Sequence, residues 1–139
     1  MYELKVIRER KQGYGTVRRV QHPGQVYEVF REKFGRLDRE VFVVLLLDGK
    51  HGVLGFNVVS MGSLNAALVH PREVFKAAIL ANAAAVILLH NHPSGSAEPS
   101  AEDKALTARL EQAGELLGIR VIDHIVVGDG EYRSKGEGW

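Results

Sequence analysis

Two histidines stand two residues apart in the segment His90-Asn91-His92-Pro93-Ser94-Gly95-Ser96-Ala97-Glu98-Pro99-Ser100-Ala101-Glu102-Asp103. On an extended backbone, side chains at i and i+2 leave the same face of the chain. Both imidazoles can then reach one ion at ~2.0–2.1 Å. Pro93 keeps the strand from continuing, and Gly95 lets the chain fold back. Asp103, in the first turn of a following helix, can bring a carboxylate to the same place. Two histidines and one carboxylate, with a fourth position left to water, form the donor set of a catalytic zinc site rather than a closed structural one. Blander readings compete. Most His-x-His pairs are surface histidines, and Ser100-x-x-Asp103 is close to a helix capping box, worth ~1 kcal/mol and implying no chemistry. Two features favour ligation. The histidines directly follow the apolar run at residues 86–89, so they stand at a strand end, where α/β sheets place their sites. Two prolines and a glycine also confine a loop that packing alone would not require.

The elements that must position these residues are legible in the periodicity. Residues 3–8 alternate apolar and polar and predict a first strand. Residues 11–19 contain Gly13 and Gly15 and read as a loop. After His22-Pro23-Gly24, residues Val26, Val29 and Phe30 share one helical face. That predicts a helix over 23–34, with Gly35 as its stop. Residues 40–47 form the strongest strand, ending at Asp48-Gly49, a hairpin-turn signal. Residues 51–60 are its expected partner. Residues 71–84 predict a helix with Pro71 near its first turn, alanine-rich and apolar on most sides, and hence buried. A short strand at 86–89 runs into His90, followed by a loop over 91–99. Ser100 opens a helix to about Leu117, and Gly118 stops it. Residues 120–127, containing Asp123-His124, predict another strand, and Gly128-Asp129-Gly130 turns into a short final one. This alternation argues an α/β domain, a mixed sheet with helices packed on it.

A chain of 139 residues suits a single domain over 1–139, with residues 1–25 as a basic N-terminal extension of strand plus loop. There are no cysteines. Disulfides, thiolate zinc sites and a cysteine nucleophile are all excluded, as are the nucleobase deaminases that hold zinc with a Cys-x-x-Cys pair. No apolar run reaches the ~18 residues of a membrane span. Met1-Tyr2-Glu3-Leu4-Lys5 lacks the apolar core of a secretory signal. The expectation is a soluble, cytoplasmic protein. The net charge of +1 hides an asymmetry: residues 1–36 hold nine Lys/Arg against four Asp/Glu, and the remainder nine against thirteen. A basic N-terminal part can touch nucleic acid or an acidic partner, or be a solvated surface.

The segment matches His-x-His-Pro-x(6)-Ser-x-x-Asp, and it resembles the JAMM motif of the MPN+ metallo-hydrolases. Together with Pro71-Arg72-Glu73-Val74-Phe75 and Asp123-His124, it is similar to the RadC-like JAB/MPN+ family of bacteria, over roughly residues 26–139. The resemblance implies an MPN (JAB) fold, a mixed sheet with flanking helices on a deaminase-like scaffold. It also implies that His90, His92 and Asp103 bind zinc. Ser100 would donate a hydrogen bond to the developing oxyanion, and a glutamate at the position of Glu40 would be the general base. Read from the residues alone, Glu40 serves equally as a solvent-facing edge residue, and Glu98 and Glu102 are nearer the histidines. The resemblance selects Glu40. Longer RadC-like proteins carry a helix-hairpin-helix region that the first 25 residues here are too short to hold.

The implied reaction is hydrolysis of a peptide or isopeptide amide, with a peptide or protein as substrate. One rival is a metal-dependent nuclease associated with DNA repair, favoured by the basic N-terminal part. The letters of His90-Asn91-His92 do not make an HNH nuclease, whose residues are spread over a ββα unit. The other rival is a scaffold that binds metal without catalysis. His124 reads as a hydrogen-bonded histidine near the core, as a support for the metal ligands or as part of another surface. His22, His51 and His70 sit beside turn residues and carry no assigned role.

Overall fold

A computed structural model describes residues 1–12, 14–34, 37–62 and 69–139. The elements run α1 (Pro23–Phe34), β1 (Glu40–Leu47), β2 (Val53–Gly62), α2 (Pro71–Leu80), β3 (Ala85–Asn91), α3 (Ala101–Leu117), β4 (Arg120–Val127), β5 (Tyr132–Ser134) and a 3-10 turn (Lys135–Glu137). The five strands form one sheet in the order β2-β1-β3-β4-β5. Only β3 and β4 pair in parallel, joined through α3; the other neighbours are antiparallel. This is the mixed α/β architecture expected from the alternation of elements.

After Glu40, every side chain of β1 is buried. A strand that hides both faces needs cover on both. Val41, Val43, Leu45 and Leu47, with Ile87 and Leu89 of β3, pack under α1 against Val26, Tyr27, Phe30 and Phe34. Phe42, Val44 and Leu46, with Val86 and Leu88, pack under α2 and α3 against Val74, Phe75, Ala78, Leu106 and Leu110. This parity places the site. His90 continues the Leu88 face toward α3, whereas Asn91 continues the Leu89 face toward α1.

Several boundaries differ from expectation. No strand forms over residues 3–8, which lie exposed and without regular structure. Alternation makes a strand only where a neighbouring edge supplies ladder hydrogen bonds. Here the local contacts are the exposed Lys5–Glu3 and Lys11–Glu9 ion pairs. Helix α2 ends at Leu80 rather than at 84, because Asn82 takes a left-handed conformation (φ 54°). Asparagine is among the few residues that accept that geometry after a helix. Its burial is also partial, since Ile79 and Leu80 are exposed. The β1–β2 turn is wider than a two-residue hairpin. Asp48 accepts the backbone N–H groups of Lys50 and Gly52, each at 2.8 Å, and His51 rather than Gly49 is left-handed (φ 64°). Gly35, the expected stop of α1, lies outside the described residues. Among the described residues no helix is long and apolar enough to cross a membrane.

Candidate metal centre

Strand β3 runs through His90 and Asn91, so the first histidine sits inside the sheet and is buried. His92 follows at the strand's end, where its N–H donates to Val127 O at 3.0 Å. The loop beyond is held against the β4–β5 turn. Asp129 N donates to Gly95 O (2.7 Å), and Ala97 N donates to a Glu131 carboxylate oxygen (3.1 Å). A Cβ on Gly128 would lie 2.7 Å from Ala97 N, so this close approach requires glycine. The loop delivers Ser100 to the N-terminus of α3, where its hydroxyl oxygen accepts from Asp103 N at 3.0 Å. The Asp103 carboxylate accepts in return from Ser100 N at 2.8 Å.

That capping box is also the third side of the cluster. The Nε2 atoms of His90 and His92 lie 3.1 Å apart. His90 Nε2 is 3.2 Å from Asp103 Oδ1, and His92 Nε2 is 3.1 Å from Asp103 Oδ2. Donors ~2.0–2.1 Å from a tetrahedral ion sit about 3.3 Å from one another. Among the described residues this is the one group of three such side chains that could hold a metal ion. The protons fit as well. His92 Nδ1 lies 2.9 Å from Ser96 O. A carbonyl only accepts, so Nδ1 carries a proton and Nε2 is the nitrogen left to coordinate an ion in the cluster.

Behind His90 the contacts continue inward. Its Nδ1 lies 2.7 Å from Nε2 of His124, which is fully buried. His124 Nδ1 lies 2.5 Å from Thr107 Oγ1, whose hydroxyl donates to Asp103 O at 2.7 Å. Phe42 stacks on the His90 ring at 6.0 Å, and Phe42 and Trp139 flank His124 at 5.7 and 5.4 Å.

The electrostatics follow these contacts. The hydrogen bond with Asp103 raises the His92 pKa, against burial, and the Glu40 charge adds to the rise. Burial pushes the Asp103 carboxyl up, but hydrogen bonds with His90 and His92 and from Ser100 N outweigh it and hold it well below the usual range. Asp103 is therefore a carboxylate. Burial, then the neighbouring charge of His90, pushes His124 well below the ordinary histidine value, so its ring is neutral.

Glu40 opens β1 on the same face as Phe42. Phe42 pairs with His90 at the end of an antiparallel ladder, so Glu40 lies two residues beyond the last pair, on the His92 side, and its charge acts on the His92 ring. Asn91, whose side chain points to the other face, fixes that entry. Its Oδ1 accepts from Val41 N at 2.7 Å, and its Nδ2 donates to Arg39 O at 3.0 Å. The peptide groups on both sides of Glu40 are thus gripped by one buried amide.

A family profile described as RadC-like JAB domain matches residues 20–138. The chain belongs to the RadC-like JAB domain family. It is 56% identical over 112 residues to a UPF0758 protein of Pelobacter propionicus, an alignment covering 81% of this chain and 49% of that one. A UPF0758 protein of Methanosarcina mazei is 49% identical over 123 residues, covering 88% and 54%. The chain spans about half the length of the curated relatives it matches.

In this RadC-like JAB domain the cluster unites His90, His92 and Asp103, with Ser100 bonded to Asp103 and Glu40 close enough for its charge to act on His92. Glu98 is instead paired with Arg133 at 3.2 Å, and Glu102 is exposed on the first turn of α3. Ser100 and Asp103 do form the capping box that competed with ligation; one carboxylate serves both arrangements. Sequence reasoning missed Asn91, Ser96 and Thr107. Asn91 lay in plain view between the histidines, where its type, a buried amide inside an apolar strand, was the available signal. Nothing local marks Thr107, whose partner lies 17 residues away.

Proposed function

We propose that this domain is a zinc-dependent hydrolase of the JAMM type, acting on a peptide or isopeptide amide. The observation that carries the reading is the convergence of His90 Nε2, His92 Nε2 and the Asp103 carboxylate at 3.1–3.2 Å. Two imidazoles and a carboxylate, with no thiolate in the chain, suit zinc with an open coordination position. When bound there, zinc lowers the pKa of a coordinated water to ~7 and polarises a carbonyl oxygen.

The remaining work falls to side chains of this domain. Glu40, whose charge acts on His92, accepts a proton from the attacking water as it adds to the amide carbon. The same carboxyl then delivers that proton to the departing nitrogen as the C–N bond breaks. Ser100 accepts a backbone hydrogen bond with its oxygen, so its own O–H proton remains to donate to the oxyanion that develops on the substrate carbonyl. Asp103 is ionised in the cluster, the form in which a carboxylate serves as a metal ligand.

A metal-dependent nuclease is the second reading, favoured by the exposed cations Lys5, Arg8, Arg10 and Lys11 of the N-terminal stretch. Two of these are already paired to Glu3 and Glu9, which weakens the case. A panel of peptides, isopeptide-linked peptides and DNA forms, assayed with and without zinc, separates the readings. Zinc-dependent amide cleavage that disappears in Glu40→Gln is the expected result. Cleavage of DNA alone selects the nuclease, and cleavage of neither, by a protein that holds zinc, selects a metal-binding scaffold.

A further inference from the structure

We infer that residues 2–8 pair as a strand with the outer edge of β2 in a second copy of this chain, and that the exchange is reciprocal across a twofold axis. The inference is independent of the metal reading. Strand β2 lies at the edge of the sheet. Its outer side is met at one place, where Arg19 bridges Gly52. There Val20 N donates to His51 O at 3.0 Å, and Val53 N donates to Arg18 O at 2.8 Å. Beyond that bridge, no backbone hydrogen bond reaches the outer side of residues 54–62 among the described residues. Proteins blunt an open edge with lysine, proline or a short strand. Val53–Gly62 runs for ten residues with no charged residue and no proline, and Leu54 and Val58 are exposed. Two register shifts against β1 bend the strand but leave it no charge to repel a neighbour.

The strand to cover this edge is in the same sequence. Tyr2, Leu4 and Val6 alternate with Glu3 and Lys5, and Lys5 Nζ lies 4.0 Å from Glu3 Oε2. On an extended chain residues i and i+2 share a face, so the ion pair takes one face and the three apolar side chains the other. That apolar face is uncovered: Tyr2 is 94% and Leu4 83% exposed. An open edge offers such a segment both ladder partners and a neighbouring apolar surface.

The path of the chain keeps the segment off its own β2. The Arg19–Gly52 bridge is antiparallel, and continued in that register residues 54–62 face residues 9–17, which leaves 2–8 past the end of the strand. The chain also turns away early. Gly15 N donates to Val29 O at 3.3 Å, and the Tyr14 ring packs on Phe30 and Phe56 at 5.4 and 4.9 Å. These contacts carry it across to α1. The segment of a second copy is not bound by that path. Reciprocal exchange covers both edges at once and closes as a dimer, whereas one-way addition would extend without end.

The test uses the full chain. Light scattering after size-exclusion chromatography, over a dilution series, gives the mass. Amide hydrogen exchange read by mass spectrometry gives the strand contact. The expected mass is twice the 15.3 kDa of one chain, with slowed exchange in residues 2–8 and 54–62 that disappears in both on dilution. Leu4→Pro removes an N–H and fixes φ in a segment without regular structure of its own, so the fold of the single chain is untouched. Leu54→Lys puts a charge on the open edge at an exposed position. Each variant should run at the single-chain mass and lose protection in both segments together. A wild type that stays at the single-chain mass at every concentration overturns the inference. So does a dimer that persists in either variant, because it joins through another surface. Protection of residues 2–8 in a protein of single-chain mass overturns it as well, by placing the strand on its own chain. If Leu54→Lys does not fold, Leu4→Pro decides alone.

Discussion

The two ends of the sheet use polar residues differently. At the end holding the β1–β2 turn, polar groups serve their own neighbourhood. Asp48 accepts from backbone groups two and four residues ahead, Asn82 turns the chain after α2, and Gly118 closes α3 in a left-handed conformation (φ 74°). At the end holding His90 and His92, polar groups reach far along the chain. Asn91 bonds across 50 residues to Val41, His90 across 34 to His124, and Thr107 across 17 to the same ring. Local bonds of the first kind stop and turn a chain. Long-range bonds of the second kind hold side chains in one orientation within a buried setting, and that is the requirement for reproducible ligand and proton placement. The histidines divide in the same way. His51 occupies a turn and His22 lies on the surface beside Glu137, whereas His90 and His124 are buried and bonded to each other.

Four substitutions sharpen or break this contrast. Glu40→Gln should abolish hydrolysis while zinc content and fold remain, because a base is not a ligand; retained turnover would move the role to another group. Ser100→Ala should lower turnover ~10²–10³-fold, because the oxyanion contact exists mainly in the transition state. It should also cost ~1 kcal/mol of stability through the lost cap. Thermal melts and turnover on one preparation separate the two effects, and wild-type turnover would reduce Ser100 to a cap. Asn91→Ala leaves Val41 N–H and Arg39 C=O without their side-chain partner and should cost ~1–3 kcal/mol in denaturant unfolding, with zinc still bound. At the opposite end, His51→Gly relieves a left-handed residue and should stabilise by only ~0.5–1 kcal/mol, with zinc affinity unchanged. An effect of His51→Gly on zinc would show that the two ends are not independent.

The same contrast explains what was legible in the sequence. Helix α1 and strand β1 begin and end where periodicity places them, and Ser100 and Gly118 bracket α3 as cap and stop, because those signals are local. The His-x-His spacing and the Ser100-x-x-Asp103 turn are local too, so the cluster could be anticipated. Residues 3–8 misled because alternation is a statement about a segment, whereas a strand is a statement about a neighbour. The helix expected to reach 84 stops at Leu80, because the alanine-rich run carries helix propensity past Asn82, whose left-handed conformation ends it. Glu40 came from resemblance. Its place at the His90 end of β1 depends on the β1–β3 register, which no local pattern encodes. Thr107 and His124 meet only once α3 packs on β4.

The central claim is that β3 and α3 build a metal site, and elemental analysis tests it most directly. Protein purified without added metal should carry about one zinc per chain, and the His90→Ala/His92→Ala double variant should carry none. Full retention of zinc in the double variant, or a folded wild type that takes up no metal when zinc is supplied, would contradict the account.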